Sequence, residues 1–494
     1  MNAGAVGTGF GTFSFMTRSL IGLLAAAIAA GGCAVNPVTG ERQLALISED
    51  QEIALGRDSA EQIAQQLALV GDDELQQYVA NIGQSLAAAS ERPDLPWTFQ
   101  VVDDPAPNAF ALPGGFIFVT RGLLALMDSE AELAGVLGHE IGHVTARHSV
   151  VQLSRQQLAQ LGLGLGMVLS PELAQFGDLA GAGLNLLFLS YGRNDERQAD
   201  ELGFGYMLGQ GYDVMQMAEV FQALQRSGEL AGASPLPTWL ASHPSEPERI
   251  EAVRARVAAL PQPQVEPEVG REEFLDRIDG LVYGADPRAG YFDGGTFYHP
   301  ELAFELAVPA EWRRQNLSNM VVAASEANDA AMQLTLVPAG SAEEAARQFA
   351  AQQNLEVAAS ARDRLNGNPA VVSRFRAAAG DGGIVAGYAA HIEHGGRVFQ
   401  VVAYAAEARF DGYARGLEQL VGSFAPLTDS NRLNVEARRI EIVPLERAMS
   451  FDEFTRRYPS SIDAEELAVL NQIEDASREL AAGTRMKRVV GGPA

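Results

Sequence analysis

Cysteine is almost absent from this chain of 494 residues, since Cys33 is its only one. A single thiol cannot form an intramolecular disulfide, so no covalent cross-link stabilises the fold. Stability must come from packed hydrophobic cores, and a chain of this length is expected to form two or three domains.

Basic residues are scarce as well. The chain has 36 Lys and Arg against 63 Asp and Glu, which gives a net charge of −27 and a pI near 4.6. Binding to phosphate backbones or anionic lipid headgroups depends on basic patches. The charge balance therefore argues against a nucleic-acid or anionic-lipid partner and fits a solvated acidic surface.

Hydrophobic runs long enough to span a membrane are missing. The run from Ser19 to Gly32 has 14 residues, which is too short to cross a bilayer comfortably but suits the core of a signal peptide. The stretch from Leu161 to Leu169 has only nine, and Asp178 interrupts the next one. No membrane span is therefore predicted after the N-terminal run.

The apolar run ends at Ala30-Gly31-Gly32-Cys33, which looks like a bacterial lipobox. Residues 1–32 are therefore predicted to be a lipoprotein signal peptide, with Cys33 as the lipidated residue. Ala34, rather than Asp, follows the cysteine and favours the outer membrane. An uncleaved anchor or a chance buried cysteine is the alternative. Met16 is a better start than Met1, because the first 17 residues carry no charge.

Residues 139–143 read His-Glu-Ile-Gly-His, the most informative pattern in the chain. Positions four apart on a helix share a face, so His139 and His143 can direct their imidazoles at one metal ion. Zinc is the expected metal. Glu140 stands next to the first ligand, where its carboxylate can take a proton from water at the metal's open position. The alternative is an ordinary helix that carries two histidines.

A capping box, Ser129-x-x-Glu132, precedes the motif and predicts a helix from about Glu130 to His148. Three glycines at positions 135, 138 and 142 lower helix propensity by roughly 1 kcal/mol each, a cost tolerated where another backbone comes close. The helix is therefore expected to be tightly buried. His148 does not fit the metzincin spacing for a third ligand and is predicted to pack or to support the ligands.

A carboxylate ligand is expected from the segment Arg193 to Asp200. Glu196 and Asp200 lie four apart on a predicted helix, so Glu196 can bind the metal while Asp200 accepts the outer N–H of a ligand histidine. By itself, such an acidic pair more often marks a solvated helix face. Its position after the histidine helix favours the metal site.

The stretches HEIGHVTARH and RNDERQAD together resemble the zinc metallopeptidase family of the CAAX prenyl proteases, HtpX and BepA. NPVTGERQLALISEDQEIALG and NAFALPGGFIFVTRGLL match its soluble periplasmic lipoprotein branch. The resemblance spans roughly residues 36–255. Gln198 departs from it, because the family usually has a second glutamate there, and so does Gly192, where serine is common. Neither position is a metal ligand in the family.

The resemblance also implies roles for residues around the site. The segment Ser242-His243-Pro244-Ser245 matches a family motif whose histidine sits near the zinc, so His243 is a predicted catalytic residue or plug. A buried turn histidine is the alternative. Further residues are predicted to support the ligands or to line the substrate cleft: Arg193, Arg249, Asn108, Phe110 and Phe116.

The predicted fold is multidomain. A mainly α zincin (gluzincin-type) domain at 36–260 carries a short edge-strand sheet, whose strand Phe116 to Thr120 is expected to receive an extended peptide. An ordinary hairpin strand is the alternative for Phe116 to Thr120. A Pro-rich linker and helix at 261–290 lead to an α+β domain at 291–427. The segment 438–490 resembles a LysM domain, and a β-α-α-β structural appendix is the alternative.

These features predict a metalloendopeptidase with one Zn²⁺ per chain, tethered in the periplasm by its N-terminal lipid, that cleaves unfolded or misassembled envelope proteins. An envelope chaperone with a structural metal site is one alternative, and a peptidoglycan-binding lipoprotein is the other. The apolar, Gly-rich segment from Leu161 to Leu189 is long for a connection and is predicted to be a lid or a binding loop.

Overall fold

The computed structural model describes residues 33–167, 191–231, 239–243, 247–261, 265–317, 319–379 and 383–492. The predicted signal peptide, most of the predicted lid and the centre of the Pro-rich linker lie outside these ranges. No helix in these ranges is long and apolar enough to cross a membrane. The chain divides into two compact units: residues up to 281 with 442–458 and 462–487, and residues 282–441 with 459–461 and 488 onward.

The first unit contains a hairpin, a three-stranded sheet and most of the helices. Its strands before residue 281 are β1 (Cys33–Val35), β2 (Arg42–Leu44), β3 (Thr98–Val102), β4 (Ala109–Leu112) and β5 (Phe116–Thr120). Its helices before residue 281 are α1 (Glu49–Gln66), α2 (Asp73–Ala88), α3 (Arg121–Leu126), α4 (Glu130–Thr145), α5 (His148–Met167), α6 (Arg193–Gln210), α7 (Gln216–Ala231), α8 (Trp239–Ser242), α9 (Pro247–Ala259) and α10 (Arg271–Ile278).

The three-stranded sheet has the order β3-β5-β4, which corrects one expectation. The strand Phe116 to Thr120 exists as predicted, but it is the central strand, paired in parallel with β3 and antiparallel with β4. A strand paired on both sides has no backbone groups left for a peptide. Residues 68–70 bond to the far side of β3, so β4 is the more open edge, and it packs against α4.

Helix α4 begins where the capping box predicts, because the Ser129 hydroxyl accepts a hydrogen bond from the Glu132 backbone N–H. It ends earlier than predicted, at Thr145. Arg147 adopts a left-handed φ of 61°, which breaks the helix and leaves His148 to start α5. The strained residue is held by Glu52, whose Oε2 accepts a hydrogen bond from the Arg147 Nε at 2.9 Å.

Two glycines allow α4 and α6 to touch backbone to backbone. A Cβ added to Gly138 would lie 3.1 Å from the Gly203 Cα, and one added to Gly203 would lie 2.8 Å from the His139 nitrogen. The tight burial predicted from the glycines of α4 is confirmed. This contact fixes the helix that carries the histidines against the helix that carries Glu196.

The second unit is rich in strands. One sheet has the order β16-β8-β7-β6 and the other β12-β13-β14-β15-β11-β10-β9. The strands are β6 (Tyr291–Asp293), β7 (Thr296–His299), β8 (Phe304–Ala307), β9 (Arg313–Asn316), β10 (Met320–Ala324), β11 (Ala330–Val337), β12 (Leu355–Leu365), β13 (Asn368–Ala378), β14 (Ile384–His394), β15 (Arg397–Ala406) and β16 (Ala425–Pro426). The helices are α11 (Ala342–Ala350), α12 (Phe410–Gly422) and α13 (Ser430–Leu433).

Helices α11 and α12 both pack on the seven-stranded sheet. In the sequence, His394-Gly395-Gly396 predicts a hairpin turn, Ser341-x-x-Glu344 predicts a helix start, and a second helix is expected from about Phe410. The hairpin of β14 and β15 and the starts of α11 and α12 match these predictions. The strand β12 was missed. Its side chains are mostly exposed, so it lacks the alternation of apolar and polar residues that identifies a half-buried strand.

The C-terminal segment consists of β17 (Arg439–Pro444), β18 (Met449–Ser450), α14 (Phe451–Arg457), α15 (Ala464–Leu470), β19 (Glu479–Leu480) and β20 (Arg485–Val490). The predicted β-α-α-β order is present, with two short strands added, and the likeness to LysM stays a prediction. Most of the segment belongs to the first unit, which is thus larger than the predicted peptidase domain.

Lys487, the only lysine of the chain, fastens this segment to the first unit. Its side chain is fully buried, and its Nζ donates to the carbonyl oxygens of Ala125 at 3.0 Å and Met127 at 2.7 Å. The same nitrogen lies 2.8 Å from Oδ1 of Asp128, just before the N-cap of α4. The last strand thus reaches the entrance of the histidine helix.

The backbone contact between α4 and α6 can be tested by adding one methyl group. Gly203→Ala should lower the free energy of unfolding by about 1–3 kcal/mol, because the new Cβ has no room beside His139. Gly205→Ala on the same helix is the matched control. Apart from its own helix backbone and chain neighbours, no atom of the described residues lies within 4 Å of its added Cβ, so it should be neutral or stabilise by up to about 1 kcal/mol. Urea unfolding measures both, and equal stability of the two variants would contradict the packing.

Candidate metal centre

His139 and His143 project from one face of α4 into the interior, as their spacing predicts. Both rings are fully buried, and their Nε2 atoms lie 3.0 Å apart. Glu196 on α6 approaches the pair, with Oε1 3.4 Å from His143 Nε2 and Oε2 3.6 Å from His139 Nε2. His243, directly after α8, places Nδ1 3.2 Å from His139 Nε2 and 3.0 Å from Glu196 Oε1.

These four residues fit a tetrahedral divalent ion. Each offers one ligand atom, and the four atoms lie within 4.8 Å of one another in a buried site. Zinc binds nitrogen and oxygen at about 2.0–2.1 Å, which puts the ligand atoms of a tetrahedral site about 3.3 Å apart. Two pairs lie close to that value: the Nε2 atoms of His139 and His143 are 3.0 Å apart, and His143 Nε2 is 3.4 Å from Glu196 Oε1. His139, His143 and Glu196 are therefore positioned to bind a metal, as predicted.

The ionisation of the ligands suits a cation. Burial alone would raise the pKa of Glu196, but His243 and His143 outweigh it and hold that pKa below its usual range. Burial lowers the pKa of His143 well below its usual value, so its imidazole is neutral. A carboxylate and a neutral imidazole are the forms in which these groups bind metals.

Asp200 and Arg249 support the ligands from behind. Asp200 Oδ1 lies 2.9 Å from His139 Nδ1, so it accepts the outer N–H and turns Nε2 toward the centre. Arg249 donates to both carboxylate oxygens of Asp200, from Nη2 at 2.7 Å and from Nε at 2.8 Å, and its Nη1 lies 2.9 Å from Glu196 Oε2. Burial would raise the pKa of Asp200, but the Arg249 bonds lower it.

His143 has a different support. Its Nδ1 lies 2.9 Å from Nδ1 of His148, whose Nε2 lies 3.0 Å from Oε1 of Gln198. His148 is therefore a supporting residue and not one of the clustered ligands, in line with the sequence. Arg193 is exposed at the first position of α6, and its predicted support of the ligands stays a prediction.

Glu140 lies beside the cluster as a buried carboxylate. The Nε1 of Trp239 donates a hydrogen bond to its Oε1 at 3.2 Å, and His243 Nε2 lies 3.4 Å from the same oxygen. The indole also stacks on the His243 ring, with centroids 4.8 Å apart. Trp239 thus touches both the predicted base and the predicted plug.

Sequence reasoning missed Trp239 and Tyr191. The Tyr191 ring stacks on His143 with centroids 4.0 Å apart, and its hydroxyl is hydrogen-bonded to Ser149. Trp239 could have been found from its place four residues before His243, one helical turn away. For Tyr191 the only sequence clue is its position just before the Glu196 helix.

The three predicted cleft residues lie in two different environments. Phe110 and Phe116 belong to a hydrophobic core that also includes Ile63 and Phe118, so their placement argues against the predicted contact with substrate. Asn108 is buried at the start of β4, and its Oδ1 has no hydrogen-bond partner among the described residues. The preceding carbonyl, of Pro107, accepts a bond from the Trp239 backbone N–H at 3.1 Å. Asn108 is therefore connected to the centre.

A histidine pair on one helix, a glutamate ligand on a second and a carboxylate beside the first ligand define a metallopeptidase site. The sequence agrees with this class, since residues 73–257 match the family model described as Peptidase family M48. The matched range includes the four clustered residues and Glu140.

The chain is 29% identical over 288 residues to the putative beta-barrel assembly-enhancing protease of Vibrio cholerae, covering 56% of this chain and 59% of the relative. It is 32% identical to the beta-barrel assembly-enhancing protease of Yersinia pestis, covering 51% and 52%. With the mitochondrial metalloendopeptidase OMA1 of Schizosaccharomyces pombe the identity is 30%, covering 47% and 68%. The chain belongs to Peptidase family M48.

These matches span little more than half the length of the two bacterial relatives. Among solved structures, cyanobacterial PsbP (CyanoP) from Synechocystis matches 26% of this chain and 91% of its own, at 16% identity and a TM-score of 0.23. That similarity is too low to bear on the fold of the second unit.

Proposed function

We propose that this protein is a zinc-dependent endopeptidase of the bacterial cell envelope that cleaves unfolded or misassembled proteins. The observation that carries the proposal is Glu140, a buried carboxylate set beside the four clustered ligand atoms. A site with only a structural metal needs the ligands but has no use for this base. The bacterial relatives, which are named for beta-barrel assembly, support an envelope substrate.

Zinc, when bound by His139, His143 and Glu196, supplies a Lewis acid that polarises the scissile carbonyl and acidifies water. Glu140 takes the proton from the attacking water and then gives it to the leaving amine, so one carboxylate serves as base and then as acid. Asp200 holds His139 in the tautomer that leaves Nε2 free. The stacked Trp239 and Tyr191 rings limit the access of bulk water.

The substrate is proposed to bind as an extended strand along β4, the edge strand beside α4. Backbone pairing of this kind accepts many sequences, because the hydrogen bonds do not depend on side chains. Asn108 adds one specific contact: its unpaired buried Oδ1 can accept a backbone N–H of the substrate. Unfolded chains supply such N–H groups, and folded proteins mostly do not.

His243 controls the site in one of two ways. Its Nδ1 lies 3.0 Å from Glu196 Oε1 and its Nε2 lies 3.4 Å from Glu140 Oε1, so in this position it would offer Nδ1 to a bound metal and keep water away from Glu140. Displaced by substrate, it can donate to the oxyanion of the reacting carbonyl. Burial lowers the pKa of His243, but Glu140 and Glu196 outweigh it and raise that pKa, which favours the donating form.

The proposed location is the periplasmic face of the outer membrane, where acyl chains on Cys33 hold the protein. The hairpin that begins at Cys33 supports this, because Asn36 Nδ2 reaches the Ala146 carbonyl at the end of α4. A lipid on Cys33 would hold the peptidase unit near the membrane where envelope proteins assemble.

The base and the ligands should be separable by mutation. Glu140→Gln should keep about one zinc per chain and lose casein cleavage by about 10²–10⁴-fold, because the amide cannot accept the proton. His139→Ala and Glu196→Ala should lose both zinc and activity. Metal analysis and a casein assay on the purified chain measure these effects. A Glu140→Gln variant that cleaves at the wild-type rate would refute the mechanism.

The two roles of His243 predict opposite results for His243→Ala. Cleavage of casein should rise if the imidazole is a plug, and should fall about 10²–10³-fold if it stabilises the oxyanion. Zinc content measured in parallel shows that the site is intact. An unchanged rate with zinc bound would leave His243 only a structural role.

Lipidation makes a third prediction. The mature chain should begin at Cys33 and carry acyl chains, and Cys33→Ser should release it from membranes into the soluble periplasmic fraction. Mass spectrometry of the N-terminal peptide and membrane fractionation test this. An unmodified residue 33 in the cellular protein would overturn the assignment.

A further inference from the structure

The two histidine ligands of α4 are supported by chemically different partners. His139 gives its outer N–H to Asp200, a carboxylate that Arg249 holds in place. His143 instead faces the imidazole ring of His148, with the two Nδ1 atoms 2.9 Å apart. Ligand histidines usually donate to a carboxylate, a backbone carbonyl or water, so the second arrangement needs its own account of where the protons are.

A histidine that binds a metal must present an unprotonated nitrogen to the ion. Since His143 Nε2 faces the other ligand atoms, its Nδ1 must carry the proton and donate it to His148 Nδ1. His148 Nδ1 must then be bare. An imidazole whose Nδ1 accepts a hydrogen bond carries its one proton on the other nitrogen, so the proton of His148 sits on Nε2.

Gln198 is the residue that accepts this proton. Its Oε1 lies 3.0 Å from His148 Nε2, and an amide oxygen can only accept. The nearest carboxylate, Asp195, has Oδ1 at 3.9 Å, beyond hydrogen-bond distance, and its other oxygen accepts from the Gly192 N–H. His143 thus donates to His148, and His148 donates to Gln198.

If both hydrogen bonds of His148 ran in the opposite direction, His143 could not bind the metal. If position 198 presented a donor, His148 would carry its proton on Nδ1 and donate it to His143 Nδ1. The proton of His143 would then sit on Nε2, where the metal has to bind. The direction of two hydrogen bonds therefore decides whether His143 is a ligand.

We propose that Gln198 and His148 form a relay that fixes the tautomer of His143 and so prepares its Nε2 to bind zinc. Gln198 is the positioning residue at the outer end of the relay. The inference rests on the proposed zinc site and is independent of proteolysis. It also gives a role to Gln198, which stands where the resembled family usually has glutamate. The glutamine side chain still offers an acceptor oxygen but lacks the negative charge of glutamate.

Zinc affinity, measured on the full chain by competition with a chromogenic chelator, tests the relay. Gln198→Leu removes the acceptor and should weaken binding about tenfold, in the range seen when an outer partner of a metal ligand is lost. Gln198→Glu restores an acceptor and should bind zinc at least as tightly as the wild type. Gln210→Leu is the matched control. It makes the same change at the end of α6, where the side chain contacts Ser85, and should leave the affinity unchanged.

Tautomers can be read directly from ¹⁵N-labelled histidine by NMR of the zinc-loaded wild type. The relay predicts that His143 is protonated on Nδ1 and His148 on Nε2. A proton on His148 Nδ1, wild-type affinity in Gln198→Leu, or weaker binding in Gln198→Glu would each overturn it. A chain that binds zinc with these tautomers but leaves casein intact would sustain the relay and refute the proposed function.

Discussion

The contact between two glycines is the constraint on which the site depends. Without side chains at Gly138 and Gly203, α4 and α6 approach until their backbones touch. Each helix brings a ligand that the other lacks: α4 supplies two imidazoles, and α6 supplies the Glu196 carboxylate and also Asp200, which holds His139 in place. A wider separation would leave two histidines on one helix and an acidic pair on another, with no common centre.

The close approach buries charge, and the surrounding side chains compensate for it. Glu196 and Asp200 would be costly in an apolar interior as isolated anions. Arg249 from α9 lies within bonding distance of both, and its guanidinium also lies over the Phe221 ring at 4.7 Å. The centre is thus built from three helices, and the third provides a cation that is fixed in place before any metal arrives.

Local patterns predicted much of this centre, because its main parts are encoded in short stretches. Helical spacing alone paired His139 with His143, and the same rule paired Glu196 with Asp200. The capping residue Ser129 marked the start of α4. These inferences need only the geometry of one helix, which a sequence displays directly.

Features that depend on pairing between distant segments could not be predicted in this way. Nothing local in Phe116 to Thr120 says that β3 and β4 flank it, so its place at the centre of the sheet was missed. The family resemblance implied that Phe110 and Phe116 line a cleft, whereas both side chains lie in a hydrophobic core. The positive φ of Arg147 depends on Glu52, which lies far away in the sequence.

The burial of Lys487 has a chemical consequence. Because this is the only lysine and its amine is enclosed, no lysine amine of the folded chain faces the solvent. Reagents that acylate amines, including the common ester cross-linkers, can reach this side chain only when the last strand leaves the entrance of α4. The rate at which such a reagent modifies Lys487, measured separately from any N-terminal amine, therefore reports how often that strand opens.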